Sequence, residues 1–223
     1  MDSTSTSIYI FLGGMDAFAA FVLILKLYRL PLREYIKELG IMSVFIAIVS
    51  YFMRIVLDVP VMDLPLQLLL FTLFIRYVMM VKLFYSGIIT ALGLGGYLLI
   101  QLLIYIAFTS IGVNQQFALQ STGMTVNIFQ ITAIVSAYLI GYILKKFNLG
   151  FSFIIRPPHD FSVKEDYSTS RNKALLFWSL ATMVVLSISL TALFHMKIEY
   201  VIPLLLITFG ALYMQSRRRD IED

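Results

Sequence analysis

Long uncharged apolar runs recur along the whole chain, separated by short polar connections. A helix needs about 20 apolar residues to cross the hydrocarbon core of a bilayer. Scanned for runs of that length, the sequence predicts spans near 8–27, 39–57, 64–82, 84–108, 123–144, 174–194 and 199–215. Arg76 and Lys82 interrupt the second half of the third, and the seventh is short. The expected fold class is therefore all-α, a single polytopic transmembrane helix bundle of about seven spans over residues 1–223, with 145–173 as a cytoplasmic loop. Met1 to Ser7 carries no basic residue, and the run that follows is nearer a full span than a signal core, so the opening segment reads as the first helix.

Composition agrees with the pattern. Apolar residues make up 60% of the chain and charged residues only 13%, too little charge for the surface of a soluble domain of this length. The absence of cysteine excludes disulfides, thiolate metal sites and cysteine nucleophiles. A net charge of +4 would suit nucleic acid, but the basic residues follow membrane topology instead, and no nucleic-acid partner is expected. With the amino terminus outside, every Lys and Arg except Arg54 and Lys197 falls on the inner side. The positive-inside rule thus supports this orientation, an odd number of spans and a cytoplasmic carboxyl terminus after Arg217, Arg218 and Arg219. Tyr9, Tyr28, Tyr51, Tyr142, Trp178, Tyr200 and Tyr213 lie near predicted helix ends, where amphipathic rings suit the headgroup region.

Most connections are short, which favours neighbouring antiparallel helices. The outer connection Thr109 to Gly123 is uncharged but rich in amides and hydroxyls, and reads either as a solvated loop or as a ligand contact. The inner one places Phe147, Phe151, Phe153, Ile154 and Ile155 beside basic residues, as in a segment lying in the membrane interface. Pro157 and Pro158 then forbid a continuous helix. Small residues at four-residue spacing, Gly87, Ala91 and Gly95 in the fourth span and Ala133, Ala137 and Gly141 in the fifth, predict that these two helices approach closely.

Catalytic patterns are absent. His159 and His195 fall on opposite sides of the membrane, His195 and Glu199 supply two ligands at most, and Ser152 in "GFSF" has no histidine to activate it. "GLGG" at Gly93 to Gly96 lacks the strand and lysine of a phosphate loop. No catalytic residue, metal site or cofactor is expected, and the chain reads as a non-enzyme.

One acid, Asp16, interrupts the first span. Asp at a helix centre costs about 2.5–3.5 kcal/mol on the insertion scale, so such a residue faces the bundle interior with a partner or a role. Arg54, near the outer end of the second span, is the expected partner. The pair reads either as a structural pin or as the base of an outward-facing ligand site completed by Gln101, Asn127 and Gln130.

The short-looped bundle, its outer amino terminus and a last helix leaving through "MQSRRRDIED" resemble the membrane sensor domain of peptide-pheromone receptor histidine kinases of the accessory-gene-regulator type. The likeness is one of topology over most of the chain, and the family's phosphoacceptor and ATP-binding motifs do not follow. It implies a non-catalytic receptor in the cell membrane, contacting lipid, binding a peptide or amphipathic ligand and signalling through its last helix, alone or as a homodimer or with a membrane partner protein. The alternatives are a substrate-binding membrane subunit of a small-solute transporter and a structural partner of another membrane complex.

Overall fold

A computed structural model describes residues 3–154, 169–194 and 198–222. All regular structure among them is helical: α1 (Ser3–Leu27), α2 (Ile36–Tyr51), α3 (Asp63–Tyr77), α4 (Leu83–Ser110), α5 (Met124–Lys146), α6 (Ser170–Phe194) and α7 (Ile198–Glu222). A wide π turn, Phe52–Val56, extends α2, and single 3₁₀ turns at Pro60–Met62 and Gln115–Leu119 precede α3 and α5. Each predicted apolar run lies on one of the seven helices. Six of them, α1 to α6 with their flanking turns, are long and apolar enough to cross a membrane; α7, which runs on through Arg217, Arg218 and Arg219, is not among these. Pro157, Pro158, His159, Asp160 and His195 lie outside the described residues.

The helices alternate in direction, so one end of the bundle, here called upper, holds the start of α1, and the lower end holds the end of α7. Among the described residues every Lys and Arg except Arg54 sits at the lower end. Half of the span in α1 and 56% of that in α4 is buried, against 28% in α2, α3 and α5. These two helices therefore form the axis. Ala19, Ala20, Phe21, Ile24 and Leu25 are buried on all sides of α1, as expected of a helix enclosed by others. Around the axis, α2 and α5 pack on α1, while α3, α6 and α7 pack on α4. Large apolar side chains such as Phe11, Ile41, Leu103, Val135 and Phe177 face outward, the distribution a lipid solvent permits.

The small-residue faces are used, but not as expected. Although α4 and α5 do touch, Gly87 faces Met183 of α6, Gly95 faces Phe209 of α7 and Thr182 of α6, and Gly141 faces Val22 and Lys26 of α1. A stripe of small residues permits close approach by any neighbour, so the stripe alone does not select one. The tightest approach is at Gly93, where a Cβ would lie 2.3 Å from Cγ1 of Ile24, joining α4 to α1.

The lower end departs from the interfacial expectation as well. Phe151, Phe153 and Ile154 are buried, Phe147 alone remaining exposed among the described residues of that apolar group. Gly150, at φ +114°, lets the chain turn beneath α1, with the amide of Phe151 donating to the Leu27 carbonyl at 2.8 Å. Its own Cβ would meet the Leu27 carbonyl oxygen at 2.6 Å, so only glycine fits here. Tyr28, just past the end of α1, is fully buried against Phe151, whereas Tyr142 and Tyr200 are exposed. Asp220 of α7 closes the corner: its Oδ1 accepts from the backbone amide of Ser152, from Ser152 Oγ at 2.9 Å and from the Phe153 amide at 3.0 Å. Next to it, Arg219 donates to Asn172 at the start of α6 and to Tyr85 at the start of α4.

Candidate functional site, a polar cavity in the upper half

The upper half of α2 ends in the π turn, a geometry frequent at functional sites, and this turn carries Arg54. Its Nε donates to Oδ2 of Asp63 at 2.5 Å. Asp63 is the first residue of α3, where the positive end of the helix favours a carboxylate. It is fully buried and further satisfied by Ser50 Oγ at 3.0 Å and Gln67 Nε2 at 3.0 Å. Ser50 in turn shares a hydrogen bond with Tyr9 Oη at 3.2 Å, so the network ties α1, α2 and α3 together. The expected Asp16–Arg54 ion pair is not formed. Arg54 takes the nearer acid because Asp63 follows it by only a short connection and is presented by a helix start.

Asp16, on α1, receives instead the hydroxyl of Tyr97 on α4, which donates to Oδ1. Its other oxygen has no hydrogen-bond partner among the described residues and is not sealed from the neighbouring space. That space is a cavity of about 190 Å³ whose polar lining includes Tyr9, Asp16, Ser50, Arg54, Gln67, Gln101, Gln120 and Gln130. Ile46, Leu98, Leu102, Tyr105 and Phe129 supply apolar wall. A smaller lobe of about 100 Å³ continues between Asp16, Arg54, Gln67, Tyr97 and Gln101 towards Leu94 and Leu186.

The connection between α4 and α5 takes part rather than standing off in solvent. Phe117, Ala118 and Gln120 line the cavity. Phe117 is buried among Tyr105, Phe108 and Phe129, with ring centroids 5.7, 6.0 and 5.5 Å away, so the 3₁₀ turn is pinned by aromatic packing.

The structure thus gathers Asp16, Arg54, Gln101 and Gln130 from α1, α2, α4 and α5 around one cavity, and leaves Asn127 off its wall. Sequence reasoning missed Asp63, Ser50, Gln67 and Tyr97. Two of these carry a signal: Tyr97 lies one helical turn before Gln101, and Gln67 one turn after Asp63, spacings that put each pair on one face. Elsewhere, Ser152 Oγ donates to Asp220 Oδ1 at 2.9 Å. Among the described residues no group of three His, Cys, Asp or Glu could hold a metal ion.

The cavity combines hydrogen-bonding groups with an apolar wall, the mix of lining common to pockets in folded proteins. No family model matches the chain, and no curated protein or solved structure matches it.

Proposed function

We propose that the protein is a non-catalytic membrane receptor module that holds a small amphipathic ligand or the end of a peptide in its upper cavity and passes binding on to α7. The observation that carries this reading is the cavity itself: charged and amide groups from five helices, α1 to α5, converge inside a bundle where each costs free energy unless it is used. In this reading the upper end faces outward, because all described Lys and Arg but Arg54 lie at the other end. All seven helices span, and α7 delivers Arg217, Arg218 and Arg219 to the cytoplasmic surface. The topology-level resemblance to peptide-pheromone sensors points the same way.

A route from cavity to α7 exists in contacts. Tyr97 holds Asp16 from α4. On the same helix Gly95 and Gly96 pack against Phe209 of α7. A ligand that fits one arrangement of α1 and α4 better than another shifts the population towards it, and α7 follows.

The test is thermal unfolding in detergent with short apolar peptides, for the wild type and for Gln101→Leu and Gln130→Leu. Stabilisation of the wild type that falls in both variants is expected. If no peptide shifts the midpoint, and a photo-reactive residue at position 129 captures none, the receptor reading is wrong.

A further inference from the structure

Charge balance around the cavity is uneven. Arg54 makes its contact ion pair with Asp63, through Nε, and Asp16 makes no ion pair among the described residues. Tyr97 gives Asp16 one neutral donor and leaves the second carboxylate oxygen accessible from the cavity. Nη1 and Nη2 of Arg54 likewise have no hydrogen-bond partner among the described residues, although the side chain lines the same cavity and is 30% exposed. The cavity therefore holds a carboxylate oxygen with room for a further donor and, lining the same space, guanidinium donors with no hydrogen-bond partner among the described residues.

We infer that the site takes a protonated primary amine with a carbonyl next to it, the ammonium resting on Asp16 and the carbonyl oxygen accepting from Arg54, as at the free amino end of a peptide. This inference rests on the receptor reading and narrows it. A ligand of net charge +1 at this end restores neutrality, which a neutral amphipath does not. Asp16 and Arg54 both line this one cavity of about 190 Å³, so a single ligand end can meet the two together. The apolar body of that residue would face Leu98, Leu102 and Phe129, and a following chain would leave past Phe117 and Gln120.

Leucinamide and N-acetyl-leucinamide, in which an acetyl group caps the amine and removes its charge, are the probes to use, by calorimetric titration of the full chain in detergent. Leucinamide is expected to bind at least about ten-fold more tightly, the size of one charge-assisted hydrogen bond. Asp16→Asn, which keeps the shape and the bond from Tyr97, is expected to equalise the two probes, its binding of the acetylated one certifying its fold. Equal binding of both probes to the wild type would overturn the ammonium assignment while leaving the receptor reading in place. A preference for leucinamide that survives in Asp16→Asn would overturn the role of Asp16. Sodium displacing leucinamide at millimolar concentration would assign the position to a metal cation instead. Binding of neither probe, with no peptide bound in the unfolding test, would remove the receptor reading itself.

Discussion

Arg54 rests on Asp63, 2.5 Å away, and not on Asp16. The difference separates two acids, one at the start of α3 and one within α1. Asp63 is a structural partner, buried and satisfied by Arg54, Ser50 and Gln67, whereas Asp16 keeps an oxygen for the cavity.

A pair of double-mutant cycles measures that separation. Asp63→Asn with Arg54→Gln is expected to show a coupling of about 1–3 kcal/mol in detergent unfolding, as for residues within one network. Asp16→Asn with Arg54→Gln is expected to show a smaller coupling, since these two share a cavity without an ion-pair contact between them. Equal couplings would restore the Asp16–Arg54 pairing that the structure lacks.

Asp63→Ala alone is expected to destabilise the fold by about 3 kcal/mol, since it leaves Arg54 without its counter-charge and Ser50 and Gln67 without an acceptor. The partial exposure of Arg54 sets this at the low end for a broken buried pair. A loss under 1 kcal/mol would mean that water entering the cavity replaces Asp63 readily.

Gly93→Ala is expected to cost about 1–3 kcal/mol, the usual range for overpacking, because the new Cβ meets Ile24. Ile24→Ala opens a space of its own, yet combined with Gly93→Ala it is expected to recover part of the loss. A double variant no better than the sum of its parts would show that the α1–α4 contact yields in some other way.

At the lower end, Asp220→Ala removes the acceptor of three hydrogen bonds. Amide exchange at Ser152 and Phe153 is expected to speed up by at least about ten-fold, in line with a charged acceptor worth about 1.5–3 kcal/mol. Amides of α1 at Ala19 and Ala20, deep in the axis, are expected to keep their protection. Uniform acceleration would instead report global destabilisation.

The helices could be read from the sequence because bilayer thickness imposes a length and the placement of Lys and Arg imposes an alternation, both recorded in single residues. The partner of Arg54 could not. Asp63 lies at the boundary of an apolar run, where a carboxylate is an ordinary helix start, and nothing in its neighbours marks it as buried. Phe151, Phe153 and Ile154 pose a related difficulty: apolar residues beside lysines look the same whether they meet lipid or the underside of the bundle, and the turn that decides it depends on one glycine. That Asp16, Gln101 and Gln130 share one cavity wall was legible because a polar group inside an apolar run tends to face the bundle interior. Asn127 satisfied the same criterion, yet its angular position on α5 takes it off the cavity wall.

The clamp formed by Asp220 and Arg219 also sets an angle. Because α7 continues as regular helix to Glu222, any element joined beyond it inherits a rotational phase fixed against the starts of α4 and α6. At 3.6 residues per turn, one residue inserted after Asp220 would swing that element by about 100° without disturbing the bundle. The lower corner thus fixes the rotational setting of α7 against the rest of the bundle.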